Sequence, residues 1–209
     1  MNDMKTLRTL AFTLLFAVLT VSYVSGGEVS PTQQLQPTIE ALFAILDDAS
    51  LRGKENTVER RNKIMTAIAD RFDFREMSKR VLGKTWYDLS DDEKAHFVSQ
   101  VTKLLENVYI GKLEAYDGRD VEFVAERIKG KRAQVTTLVP YEGSKIPIHY
   151  IMQREQDEWM VYDINIEGVS LVRNYMEQFG TILREQQYDG LIKTIEEKNK
   201  SFAAEYGSG

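Results

Sequence analysis

The sequence predicts an α+β fold: a four-stranded, twisted antiparallel sheet covered by N- and C-terminal helices. Three observations carry this expectation. Apolar residues recur at helical spacing up to about residue 117, at a period of two over 120–166, and at helical spacing again over 168–203. The segments of period two are joined by connections of hairpin length. The chain has 209 residues, 43% of them hydrophobic and 28% charged, which suits one globular domain with a real core.

Residues 1–26 read as a cleaved secretory signal. Lys5 and Arg8 form a positive n-region, Leu10 to Leu19 is apolar and uncharged, and the small residues Ser22, Ser25, Gly26 and Gly27 follow, with cutting after Gly26 or one residue later. The strongly apolar run is short for a membrane span, which needs about 20 residues. The expected mature chain, 27–209, is a single domain exported to the periplasm.

From Pro31 to about Ser50, Leu35, Ile39, Leu42, Phe43 and Leu46 fall on one helical stripe. Asn56 or Thr57 offers a cap for a second helix with Val58, Ile64, Met65 and Ile68. Phe72 to Leu82 is short, amphipathic and stopped by Gly83. Ser90-Asp91-Asp92-Glu93 is a capping box, because Ser90 can accept the third helical N–H while Glu93 reaches back. It opens a long helix with Phe97, Val101, Leu104, Leu105, Val108 and Leu113 on its apolar face. The expected strands are Asp120–Lys129, Arg132–Pro140, Lys145–Arg154 and Glu158–Ile166, an antiparallel meander. Val169, Val172, Tyr175, Met176, Phe179, Ile182 and Leu183 then form a closing helical stripe, continued by Leu191, Ile192 and Ile195.

Composition removes several function classes. The net charge is −5 and no basic block stands out, so a nucleic-acid footprint is not supported; Lys129-Gly130-Lys131-Arg132 is a basic hairpin tip. That tip reads as a solvated turn, with lipid headgroups or an acidic partner as the alternative. With no cysteine, disulfides, thiolate metal sites, thiol nucleophiles and lipoprotein anchoring are excluded. His96 and His149 lack ligand spacing, so no metal is expected. No Walker motif and no Gly-x-Ser-x-Gly elbow occurs; Gly168-Val169-Ser170-Leu171-Val172 lacks the closing glycine. Asp163 and Glu167 are a carboxylate pair that offers acid–base chemistry, but Asp163 reads better as a cap or hydrogen-bond acceptor where the fourth strand gives way to the Gly168 turn. His149 lies on the face opposite Ile148 and Tyr150, expected in solvent.

On the inner face of the predicted sheet stand Val135, Thr137 and Val139, then Ile146, Ile148, Tyr150 and Met152, then Trp159 and Val161. Neighbouring helices bring Leu104, Val108, Tyr109, Val172, Tyr175 and Phe179. Chemistry alone reads such stripes as packed core; a lipid site needs no new residue types, only incomplete filling of the same interior.

The segment from Trp159 through Tyr162-Asp163, Glu167-Gly168-Val169-Ser170 to Leu171 resembles the signature of the MlaC family, periplasmic phospholipid-binding auxiliary components of an ABC transporter associated with toluene tolerance. Leu82-Gly83 with Trp86, Leu89-Ser90, Tyr109 with Leu113 and Tyr116, and the stretch from Asn174-Tyr175 through Phe179 to Tyr188-Asp189-Gly190-Leu191-Ile192 are similar too. The resemblance implies a twisted sheet packed by helices around a deep apolar pocket. It also implies shuttling of phospholipid between an outer-membrane lipoprotein complex and an inner-membrane ABC transporter complex bearing an MCE-domain protein, maintaining outer-membrane lipid asymmetry. On this reading the chain is a monomeric carrier, not an enzyme. It needs no cofactor beyond its lipid cargo and touches membrane complexes only transiently. Residues expected to touch lipid are Leu104, Val108, Tyr109, Val135, Thr137, Ile148, Tyr150, Met152, Val161, Val172, Tyr175 and Phe179. The rivals are a carrier of hopanoid or another hydrophobic ligand, an enzyme using Asp163 or Tyr150, and an adaptor that never binds lipid.

Overall fold

The computed structural model describes residues 29–115, 121–141 and 143–206. The expected signal peptide lies outside them. Helix α1 (Pro31–Asp47) opens with a capping box in which Ser30 accepts the Gln33 N–H and Gln33 returns the bond, with Pro31 at the first helical position, where its missing N–H costs nothing. A 3-10 turn follows at Ala49–Leu51 and another at Lys54–Asn56, before α2 (Thr57–Ala69). Asn56 stands at the cap position of α2 but does not cap it. Its amide instead donates to the carbonyls of Ser50 and Arg52, tying the two 3-10 turns together. Helix α3 (Phe74–Leu82) is capped by Asp73, whose carboxylate accepts the Glu76 N–H at 2.8 Å, and ends at Gly83, where a 3-10 segment runs to Asp88. The Ser90–Glu93 capping box opens α4 (Asp91–Glu114), as its sequence predicts.

Strands β1 (Glu122–Lys129), β2 (Arg132–Tyr141), β3 (Ser144–Glu155) and β4 (Glu158–Ile166) form the expected antiparallel meander. A fifth strand, β5 (Val169–Ser170), folds back on β4, making the order β1-β2-β3-β4-β5. Two residues are too few to register as a period, which is why the sequence predicted four strands. The hairpin rests on Glu167 and Gly168, both with positive φ (51° and 87°), a conformation glycine adopts freely and Glu167 at a cost. The open edge of β4 is covered at Val161, whose N–H and carbonyl bond the backbones of Arg71 and Asp73 at 2.9 Å. Helix α5 (Leu171–Tyr206) is broken at Gln187 (φ 60°, ψ −167°). A Cβ at Gly190 would stand 2.2 Å from Gln186 Cβ, so the chain after the break needs a glycine.

The interior divides in two across the sheet. One cluster joins α3, the 3-10 segment, α4 and α5 around Trp86, Phe97, Leu104, Tyr175, Phe179 and Leu191. Phe97 meets Phe179 edge-on at 6.4 Å. The sheet contributes Tyr162 and Ile151 to this side. The other cluster joins α1 and α2 to the opposite sheet face around Leu35, Ile39, Ile64, Val135, Met152, Trp159 and Val161. Phe74 packs against both. The register explains the split. Met152 pairs with Val161 but Ile151 pairs with Asp163: Tyr162 follows the alternation of the strand to the far side, and the bulge after Val161 keeps Asp163 there too and returns Ile164 to the side of Val161.

Candidate functional site

The face of the sheet under α1 and α2 changes character along its length. On β2, Ala133, Val135 and Thr137 are buried, Val139 is half-buried and Tyr141 is 53% exposed, all on one side of the strand. β3 repeats the gradient: Met152 and Tyr150 are buried, Ile148 and Ile146 half-buried. On β4, Trp159 and Val161 are buried, while Ile164 and Ile166 are half-buried. The closed end is pinned by Gln34 of α1. Its side chain accepts the Trp159 N–H at 2.6 Å and donates to the Asp157 carbonyl at 3.2 Å. The Thr32 N–H, two residues earlier, bonds the Glu126 carboxylate at 2.7 Å.

The other end is an apolar rim. Phe43 and Leu46 of α1, Leu113 of α4 and Phe123 of β1 pack against the cluster while half-buried. Here Glu114 at the end of α4 holds α2 with both oxygens, Oε1 to Arg60 at 2.7 Å and Oε2 to Arg61 at 3.0 Å. Lys145 and Glu122 are ion-paired at the same end of the sheet. Val169, on β5 beyond the rim, is 60% exposed. The result is an apolar layer between the sheet and α1–α2, the trough, fully buried at one end and half-buried at the other.

The residues expected to touch lipid do not converge on one space. Val135, Thr137, Ile148, Tyr150, Met152 and Val161 lie in this trough, four of them (Val135, Thr137, Met152, Val161) at 0% exposure. Leu104, Val172, Tyr175 and Phe179, with half-buried Val108 and Tyr109, belong to the cluster across the sheet. The expected juxtaposition of the two sets is therefore corrected. The helices facing the inner sheet residues are α1 and α2, with Ile110 and Leu113 from the end of α4. Periodicity identified the apolar stripe of each helix but not its partner, and the α1 stripe (Leu35, Ile39, Leu42, Phe43, Leu46) was the available clue to the missed side of the trough.

The polar residues of the signature are structural. Asp163 accepts the Ser170 hydroxyl at 2.6 Å and the Val172 N–H at 2.9 Å, and Ser170 Oγ accepts the Arg173 N–H at 3.0 Å. Together they satisfy two of the N–H groups that the start of α5 leaves without helical partners. Asp163 is thus the acceptor its sequence context suggested. His149 departs from expectation: it faces away from the trough but is half-buried, its Nδ1 2.9 Å from Thr136 Oγ1 and 3.2 Å from Gln134 Nε2.

Across the sheet, burial pushes the Tyr175 hydroxyl up to about 12, with Tyr109 nearby adding to the effect, so both phenols stay neutral at ordinary pH. Arg80 of α3 lies 3.8 Å above the Tyr162 ring and pairs with Glu76 at 2.8 Å. The basin of about 390 Å³ beside it is lined by Glu76, Lys79, Arg80, Gly83, Lys84 and Tyr87. That lining is charged, unsuited to acyl chains. Among the described residues no group of three or more His, Cys, Asp or Glu side chains could hold a metal ion, and no helix is long and apolar enough to cross a membrane.

Comparison with known proteins agrees with this architecture. The chain is 23% identical over 195 residues to the intermembrane phospholipid transport system binding protein MlaC of Haemophilus influenzae, covering 89% of this chain and 91% of that protein. A solved structure of a phospholipid-binding protein from Ralstonia solanacearum, in complex with a phospholipid, superposes with a TM-score of 0.76 at 21% identity, over 83% of this chain and 99% of that one. The family model described as MlaC protein matches residues 36–197, a span that runs from the first turns of α1 to the last turns of α5, and on that match the chain belongs to the MlaC family.

Proposed function

We propose that this chain is a periplasmic carrier of phospholipid between the outer and inner membranes, and that its acyl chains lie in the trough between the sheet and α1–α2. The observation that carries the reading is the gradient on one sheet face, from fully buried Val135, Met152 and Val161 to half-buried Ile146, Val139 and Ile166. A packed core has no need of an apolar rim; a site that takes up and releases hydrocarbon does. The tails run along Val135, Thr137, Ile148, Tyr150, Met152 and Val161, with the headgroup outside the rim. Leu104, Val108, Tyr109, Val172, Tyr175 and Phe179 back the sheet from its other side.

The energetics suit a carrier. Each methylene moved into water costs about 0.8 kcal/mol, so a two-chain lipid with roughly 30 methylenes costs on the order of 20 kcal/mol to expose. The trough replaces bilayer with protein hydrocarbon at nearly equal free energy, so docking to a partner can tip the cargo either way. The partners on this reading are an outer-membrane lipoprotein complex and an inner-membrane ABC transporter with an MCE-domain protein, met in turn by a monomer. Together they maintain outer-membrane lipid asymmetry. The family is one of lipid-binding transport proteins, not of enzymes.

Native mass spectrometry of protein purified from the periplasm tests the reading. Phospholipid masses should accompany the wild-type chain. Val161→Glu, which sets a carboxylate on the floor of the trough, should abolish them. Wild-type protein that carries no lipid and takes none from vesicles would defeat the proposal, and a folded Val161→Glu variant with full lipid retention would defeat the placement.

A further inference from the structure

Two threonines stand next to each other on β2 and face opposite sides of the sheet. Thr136, on the outer face, has its hydroxyl 2.9 Å from His149 Nδ1. Thr137, on the trough face, is completely buried, and its hydroxyl has no hydrogen-bond partner. Its neighbours along that face are Val135, fully buried, and Val139, half-buried. Its cross-strand neighbours are Phe123 on β1 and Ile148 on β3, both half-buried. Valine has the same shape as threonine and would fill this position without burying an orphan hydroxyl. Packing therefore does not account for the oxygen.

Its depth points to what does. Thr137 lies one pair of residues, about 7 Å, inside Val139, where the face becomes half-exposed. A diacyl phospholipid with its headgroup outside the rim and its tails inward carries its ester carbonyls just inside that boundary. They are the only strong hydrogen-bond acceptors it brings into hydrocarbon. We propose that Thr137 Oγ–H donates to an ester carbonyl of the cargo, so that the trough discriminates ester-linked acyl chains from ether-linked alkyl chains. This rests on the carrier reading and adds a specificity-determining residue to it. An ether lipid of equal chain length fills the same volume but lacks the carbonyl, and leaves the hydroxyl unpaired.

The test uses the mature chain with vesicles holding equal amounts of diacyl- and dialkyl-phosphatidylethanolamine of matched chain length, the bound lipid read by native mass spectrometry. Wild type should take up the ester over the ether by about three- to tenfold, the discrimination of one net hydrogen bond. Thr137→Val should lose the preference, its ester-to-ether ratio falling to that of the vesicles, and Thr137→Ser should keep it. A wild-type ratio equal to that of the vesicles, or a Thr137→Val protein with the wild-type ratio, overturns the inference. If Thr137→Val fails to fold, the wild-type ratio and the Thr137→Ser protein decide. Uptake of neither lipid by wild type overturns the carrier reading itself; equal uptake of both overturns only the role of Thr137.

Discussion

Replacing Asp163 with alanine isolates the work of the signature carboxylate. In the wild type it takes one bond from Ser170 Oγ at 2.6 Å and one from the Val172 N–H at 2.9 Å, and the first of these orients Ser170 to accept the Arg173 N–H. A hydrogen bond to a charged group contributes about 1.5–3 kcal/mol, and loss of an N-cap costs about 0.5–2 kcal/mol. Asp163 is half-buried, so water recovers part of the loss. The expected cost of Asp163→Ala is about 2–3 kcal/mol, which for a domain of this size lowers the melting temperature by about 5–10 °C. Asp163→Asn keeps an acceptor for Val172 and should lose about half as much. Thermal unfolding followed by circular dichroism reads both. Lipid content measured on the same samples should be unchanged while the variants are folded. An Asp163→Ala protein that melts within about 1 °C of wild type, or that stays folded and loses its cargo, would refute a capping role and return Asp163 to the site.

Two further predictions concern α5. The Tyr175 and Tyr188 hydroxyls are both pushed up to about 12, by burial first, then by Tyr109 for Tyr175 and by Glu93, Asp189 and Glu196 for Tyr188. The unfolded chain ionises near pH 10 and the folded chain later. The associated stability is intact below pH 10 and is lost as pH rises toward 12, by about 3 kcal/mol for Tyr175; Tyr175→Phe should flatten that part of a urea-stability profile taken against pH. At Gln187 a side chain occupies backbone space (φ 60°, ψ −167°) that belongs almost wholly to glycine. Gln187→Gly should raise stability by about 1 kcal/mol, read as a rise in melting temperature; a fall would mean that the break carries no strain.

The sequence made the local chemistry legible wherever one short motif decides it. Ser90 with Glu93 marks a helix start, Gly130-Lys131 a hairpin, and Asp163 before Gly168 the transition from strand to helix. Each is settled within a few residues by backbone hydrogen bonding. The site was legible only in part, because its geometry is decided between distant segments. The period of β4 does not reveal the bulge that returns Ile164 and Ile166 to the face of Val161, since one extra residue changes the face without changing the composition. The stripe on α1 says that Leu35, Ile39 and Leu42 are buried, not that Trp159 and Val135 are what they are buried against. The break at Gln187 carries no proline, and the glycine that accommodates it stands three residues later.

The sheet works as a partition. Close-packed interiors transmit any change of volume to their neighbours, and a chamber that fills and empties within one continuous core would disturb the whole molecule at every exchange. Here Phe74 packs against both clusters and the end of α4 reaches the α1–α2 side through Ile110 and Leu113, while Phe97, Leu104 and Leu191 are buried on the α3–α5 side alone. If lipid occupies the α1–α2 side, as proposed, the α3–α5 side is the half of the molecule expected to keep its packing between the empty and loaded states.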